Sequence, residues 1–226
     1  MKICTLLLLT STICQLSHAQ TGIVRGNVDV EHEKKKSAGS ADAVVWLTAY
    51  ESHIPLAPGP VAHLLQKNKQ FSPHVVAITT GTTVEFPNRD PFFHDVFSIY
   101  RGKPFDLGLY ESGSSRKVAF TKPGVSYIFC NIHPEMSAVI VALQTPYFAQ
   151  TDAEGRFEMA NIPAGRYKIR VWHELASASE LEGLAHDVQI NPGENLLPAL
   201  VLHVSDTTPA HTNKYGEAYS RDRNPY

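Results

Sequence analysis

Beyond residue 19, no stretch of this chain sustains a helical repeat of apolar residues. Short runs of β-branched and aromatic residues recur instead, each bounded by Pro, Gly, Asn or Asp. Such runs read as strands, and a chain built from many of them folds as β-sandwiches. The expected strands span 23–30, 43–49, 74–79, 83–86, 117–121, 125–130, 136–143, 156–159, 167–172, 186–190 and 197–204. Gly81-Thr82, Pro123-Gly124 and the segments 152–155 and 162–165 supply turns between them. Residues 61–69 read as a short helix or an irregular arm, and 101–116 as the longest connection. The fold class is therefore all-β.

The chain has 226 residues, which at about 150 residues per domain means one or two domains. With 43% apolar and 19% charged residues it is an ordinary globular composition. Lys and Arg number 20 and Asp and Glu 22, and that mild acidity argues against nucleic acid as a partner. Residues 1–19 have the form of a removable leader: Lys2, a mostly apolar stretch from Ile3 to Leu16, and small residues at Ser17 and Ala19. Cleavage is expected before Gln20. The apolar stretch is short for a membrane span, and the later apolar run at 138–143 is only strand length. The mature protein is thus expected to be periplasmic or secreted, with no membrane insertion after cleavage. Of three cysteines, Cys4 and Cys14 lie in the leader. Cys130 is left without a disulfide partner, and a lone thiol in an exported chain needs a role. Residues 205–226 are polar, lack an apolar period, and read as a disordered tail.

The segment Cys130-Asn131-Ile132-His133-Pro134-Glu135-Met136 supplies that role. It joins two expected strands and offers a thiolate, an imidazole and a thioether, the donors a soft metal centre wants. Two His and one Cys in a trigonal plane, with a weak axial Met, make a blue-copper site. A second histidine is then required, and His94, closing the loop after strand 83–86, is the candidate. Plainer readings compete at each position. Cys130 alone is a small buried hydrophobe, and Met136 alone is core. His94 alone is an exposed loop histidine. Zinc is the chemical rival, although Met is a poor fourth ligand for it. His63, His74, His173, His186 and His203 have no partner at ligand spacing and read as surface or hydrogen-bonded histidines. No H-x-H pair occurs, which argues against a multicopper oxidase.

Gly81-x-x-Val84-x-Phe86-x-Asn88 followed by His94, then Pro123-Gly124-x-x-Tyr127-x-x-Cys130-x-x-His133-x-x-Met136, resembles the cupredoxins. The C-x2-H-x2-M spacing is similar to that of the amicyanins. The resemblance covers roughly residues 70–144. It implies a Greek-key β-sandwich holding one type 1 copper, with His94, Cys130 and His133 as equatorial ligands and Met136 axial. One position departs from the pattern. Cupredoxins usually carry Asn just after the first His ligand, where it ties the ligand loops together; here Asp95 stands there, and a carboxylate cannot donate a hydrogen bond. Asp95 is expected to put negative charge near the metal, favour Cu(II) and lower the reduction potential.

A second signature flanks the first. Thr151-Asp152-Ala153-Glu154-Gly155-Arg156-Phe157 and Ile162-Pro163-Ala164-Gly165-x-Tyr167, together with Val24-Arg25-Gly26-Asn27-Val28 and the segment 41–47, resemble the carboxypeptidase regulatory-like, or transthyretin-like, β-sandwich. The expected organisation is a leader at 1–19, one half of this sandwich at 20–60, an inserted copper domain at 68–146, the other half at 148–204 and a tail at 205–226. The alternative is an N-terminal segment packed on the cupredoxin itself, with a separate C-terminal domain. No catalytic set is visible, so an enzyme is not expected. The function implied is an exported carrier of single electrons between redox partner proteins. The rivals are a copper-binding or delivery module and a structural sandwich with a vestigial site.

Overall fold

The computed structural model describes residues 20–32, 42–51, 56–99, 102–205 and 211–219. The expected leader and residues 33–41 lie outside the described residues. In chain order the strands are β1 (Thr21–His32), β2 (Val44–Ala49), β3 (Ala62–His63), β4 (Leu65–Lys67), β5 (Gln70–Ser72), β6 (Val75–Thr79), β7 (Thr83–Pro87), β8 (His94–Ser98) and β9 (Phe105–Tyr110). There follow β10 (Ser115–Ala119), β11 (Gly124–Cys130), β12 (Ser137–Leu143), β13 (Phe148–Gln150), β14 (Arg156–Pro163) and β15 (Gly165–Trp172). After the helix α1 (Ala178–Gly183) come β16 (His186–Ile190), β17 (Gly193–Leu196) and β18 (Leu200–Val204). The molecule is all-β, as its pattern of short apolar runs dictates.

Four sheets carry the architecture. One has the order β14-β1-β17, with β18 also on β1, and a second has the order β13-β2-β15-β16. Val24, Val28, Leu47, Ile169 and Leu202 fill the space between these two. A third sheet runs β6-β12-β11-β8-β9, and a fourth β10-β7-β3. Phe86, Val96, Tyr110, Ile128 and Ile140 pack between them. The period of two along each strand then joins the pairs. On β12, Ala138, Ile140 and Ala142 face the second core, while Val139, Val141 and Leu143 face a third apolar cluster with Val44 of β2 and Trp172 of β15. A strand buried on both faces must be apolar at every position, and the run AVIVAL meets that demand. The chain therefore builds β1 and β2, makes the third and fourth sheets, and returns to pair β13 with β2 and β14 with β1.

Several elements differ from the sequence reading. Residues 61–69 hold no helix: β4 and β5 form a hairpin whose turn residues Asn68 and Lys69 take φ of 57° and 54°. Positive φ at both central positions is the two-residue hairpin turn that suits strand twist. The 101–116 connection contains β9, and His94 opens a strand, β8, instead of closing a loop. Helix α1 also escaped the strand pattern, because its signal is a cap: Ser177 Oγ accepts the Glu180 N–H at 3.1 Å. Residues 211–219 of the expected tail lie against the third sheet's loops, through contacts detailed below.

A polar contact crosses the seam between the paired sheets. His74 Nε2 lies 2.5 Å from Glu174 Oε2, and His74 Nδ1 lies 3.2 Å from the Ser137 carbonyl. The Glu174 hydrogen bond raises the His74 pKa above its ordinary value, outweighing desolvation. A raised histidine contributes stability that is complete below pH about 6.5 and fades as pH climbs through the raised value. Because the imidazole is 40% exposed, Glu174→Gln should cost only about 0.5–1 kcal/mol at pH 6. In urea titrations that difference should vanish at alkaline pH; a cost independent of pH would mean that the pair is not what joins the seam.

Candidate metal centre

Backbone pairing brings the donors together. β8 and β11 are antiparallel neighbours with Val96 opposite Cys130, so His94, at the start of β8, lies beside the end of β11. The ladder continues one step past the strands: the Asn131 N–H donates to the Asp95 carbonyl at 2.8 Å. The turn from β11 to β12 is closed by the Met136 N–H on the His133 carbonyl at 3.0 Å and the Cys130 N–H on the Met136 carbonyl at 3.3 Å. That turn carries His133 back toward His94.

The resulting donors form a triangle. Cys130 Sγ is 3.7 Å from His94 Nδ1 and 3.6 Å from His133 Nδ1, and the two Nδ1 atoms are 3.2 Å apart. A metal with bonds of about 2.0–2.3 Å needs trigonal donors about 3.5–3.8 Å apart; both N–S spacings meet this, and the two nitrogens would have to part by a few tenths of an ångström to admit one ion. Among the described residues this is the only group of three or more His, Cys, Asp or Glu side chains close enough to share an ion. Two imidazoles and one thiolate are donors that copper takes, and zinc as well. Met136 is fully buried in the same cluster as Cys130.

The protons are arranged to suit. His94 is fully buried, and its Nε2 lies 2.9 Å from Asp90 Oδ2. An ionised carboxylate only accepts, so Nε2 carries the hydrogen and Nδ1 keeps its lone pair toward Cys130. Desolvation pushes the Asp90 carboxyl up, but the Lys69 N–H, the His94 ring and the Asn68 N–H outweigh it and hold the pKa below the ordinary value. The Asn68–Lys69 turn explains this, since both its N–H groups point at the Asp90 oxygens. Burial lowers the His94 pKa despite Asp90. Desolvation and the neighbouring His94 push His133 down to about 4. Both rings are therefore neutral, and available as ligands, near pH 7. Burial raises the Cys130 thiol, so a metal binding there displaces its proton.

Of the residues singled out from sequence, His94, Cys130 and His133 converge, and Met136 lies at the base of their loop. His63, His186 and His203 are exposed and stand outside the triangle. Asp90 went unassigned in the sequence; its one signal was an acid four residues before a candidate ligand. The Asp95 side chain is not an isolated charge. Asn131 Nδ2 donates to Asp95 Oδ2 at 3.1 Å, so the tie between the ligand segments is kept with donor and acceptor exchanged.

No protein-family model matches the sequence, and no curated protein matches it. Solved structures do. A purple cupredoxin from Nitrosopumilus maritimus is 24% identical over 36% of this chain and 99% of its own, with a TM-score of 0.33. A copper-containing nitrite reductase from Thermus scotoductus SA-01 is 31% identical over 44% of this chain, with a TM-score of 0.36; the match spans only 25% of the reductase. The reduced state of an amicyanin mutant is 18% identical over 43% of this chain and 99% of its own, with a TM-score of 0.34.

Losing the carboxylate that orients a ligating histidine typically costs 10–100-fold in metal affinity. Asp90→Ala should weaken Cu(II) binding by that factor in a chelator competition while leaving the fold intact by circular dichroism. Affinity within twofold of the parent would show that His94 is oriented by packing alone.

Proposed function

We propose that residues 68–146 hold one type 1 copper and that the protein is an exported carrier of single electrons. The observation that carries this reading is the triangle of His94 Nδ1, Cys130 Sγ and His133 Nδ1, with His94 fixed as a donor by Asp90. His94, Cys130 and His133 would be the equatorial ligands and Met136 the weak axial one. Copper held there supplies a Cu(II)/Cu(I) couple. The chain's part is rigidity: β8, β11 and the 131–136 turn hold the donors at fixed spacing, so little needs to move when charge changes.

Of the three donors of the triangle, His133 alone is not fully covered; Pro134 next to it is exposed, and the Phe92 ring lies 5.4 Å from the His133 ring. That edge is the natural path for an electron and a contact patch for redox partner proteins. The leader-like residues 1–19 support a periplasmic or secreted location, and no helix among the described residues is long and apolar enough to cross a membrane. The sandwich formed by β1, β2 and β13–β18 carries no cluster of metal donors among the described residues. We read it as a carboxypeptidase regulatory-like scaffold for the copper unit.

Titration with Cu(II) tests the reading. The protein should develop an intense blue charge-transfer band and narrow copper hyperfine splitting, and Cys130→Ser should lose both. A pale spectrum shared by the two proteins would remove the thiolate-copper site. A blue protein that yields its metal quickly to chelator and exchanges electrons slowly with itself would be a delivery module instead.

A further inference from the structure

The segment 211–219 touches the donor loop at several points. The Tyr219 hydroxyl donates to the Cys130 carbonyl at 3.2 Å, and His211 Nε2 lies 3.0 Å from the Pro134 carbonyl. The His211 ring stacks on Phe129 with centroids 3.9 Å apart. Lys214 makes the most specific contact. Its backbone N–H donates to Asn131 Oδ1 at 3.1 Å, and its ammonium lies 2.9 Å from Asp95 Oδ2. Asn131 Nδ2 in turn donates to Asp95 Oδ2. Three residues thus form a closed ring of interactions. It spans the residue after His94, the residue after Cys130 and the C-terminal segment.

This ring changes the electrostatics expected from Asp95. The Asp95 side chain is 8% exposed and that of Lys214 13%, so solvent and salt screen the pair weakly. Lys214 also meets Asp106 at 3.0 Å, but that carboxylate is 51% exposed and water screens it. An unpaired carboxylate at position 95 would stabilise the more highly charged Cu(II). Paired with Lys214, its charge is largely cancelled.

Resting on the copper reading above, we propose that Lys214 is a positioning residue of the metal centre. Its ammonium, carried in by the segment 211–219, cancels the Asp95 carboxylate and fixes the Asn131 bridge between the ligand segments. The C-terminal segment thereby sets the reduction potential of the site.

The test is the midpoint potential of the copper-loaded, full-length protein and three variants. Lys214→Gln should shift the Cu(II)/Cu(I) ratio about tenfold toward Cu(II), a fall of about 59 mV for one electron. Lys214→Arg, which keeps the charge, should stay near the parent. Combining Asp95→Asn with Lys214→Gln should return the potential to near the parent value. An unchanged potential in Lys214→Gln with the blue band intact overturns the proposal, and so does an equal fall in Lys214→Arg. Hydrogen exchange of the metal-free proteins gives a readout that does not need copper. In Lys214→Gln the amides of 131–136 should exchange several-fold faster while those of β1 are unchanged; identical exchange in that loop overturns the bridge. A parent protein that binds no copper through Cys130 defeats the electron-carrier reading alone, since the exchange comparison still decides the role of Lys214.

Discussion

Burial of β12 on both faces is the constraint on which the molecule rests. Its even-numbered positions Ala138, Ile140 and Ala142 complete the core under the donors. The odd-numbered Val139, Val141 and Leu143 complete the seam with β2 and β15. Its edges are also taken, by β11 on one side and parallel β6 on the other. A strand so enclosed has little freedom to slide, because a one-residue slip would exchange two packed faces at once. The turn that carries His133 and Met136 hangs from its first residue, so the position of the His94, Cys130 and His133 group is inherited from apolar packing in which Cys130 and Met136 take part.

On that floor the polar groups are placed so that each has a defined proton. Asp90 takes two backbone N–H groups from the Asn68–Lys69 turn and one from the His94 ring. The carboxylate therefore stays ionised while buried, and His94 faces the centre with a lone pair. Leaving such groups unpaired would be costly, so the second row of residues is as constrained as the donors. The inverted Asp95–Asn131 tie follows the same logic: one residue supplies the acceptor, the other the donor, and the bridge survives.

The parts of this structure legible in the sequence are those written in local pattern. Alternation marks β1 and β15, continuous apolar runs mark β2 and β12, and the spacing of Cys130, His133 and Met136 marks the loop between β11 and β12. His94 was reachable because a trigonal site needs a second histidine. What the sequence hid depends on distant partners. The Asn68–Lys69 turn lacks glycine, and its purpose is visible only once Asp90 lies above it. β8 and β9 are short, and β9 contains Asp106 and Gly108, which weaken its strand pattern. Residues 211–219 have a tail's composition, yet Lys214 finds Asp95 across 119 positions of chain. Composition describes how a segment behaves alone, and this segment does not act alone.

The route of the chain has a consequence for how the molecule assembles. β1 and β2 are made first, but their partners β14, β15 and β13 come more than a hundred residues later: Val45 pairs with Ala149, and Gly26 with Phe157. Until then both early strands have open edges, and closing so long a loop is entropically slow. The intervening segment has its own core, and its two ends stand side by side, because β2 and β13 are neighbours in one sheet. The separation along the chain that β1 and β2 must close is thereby bridged by the packed strands between them.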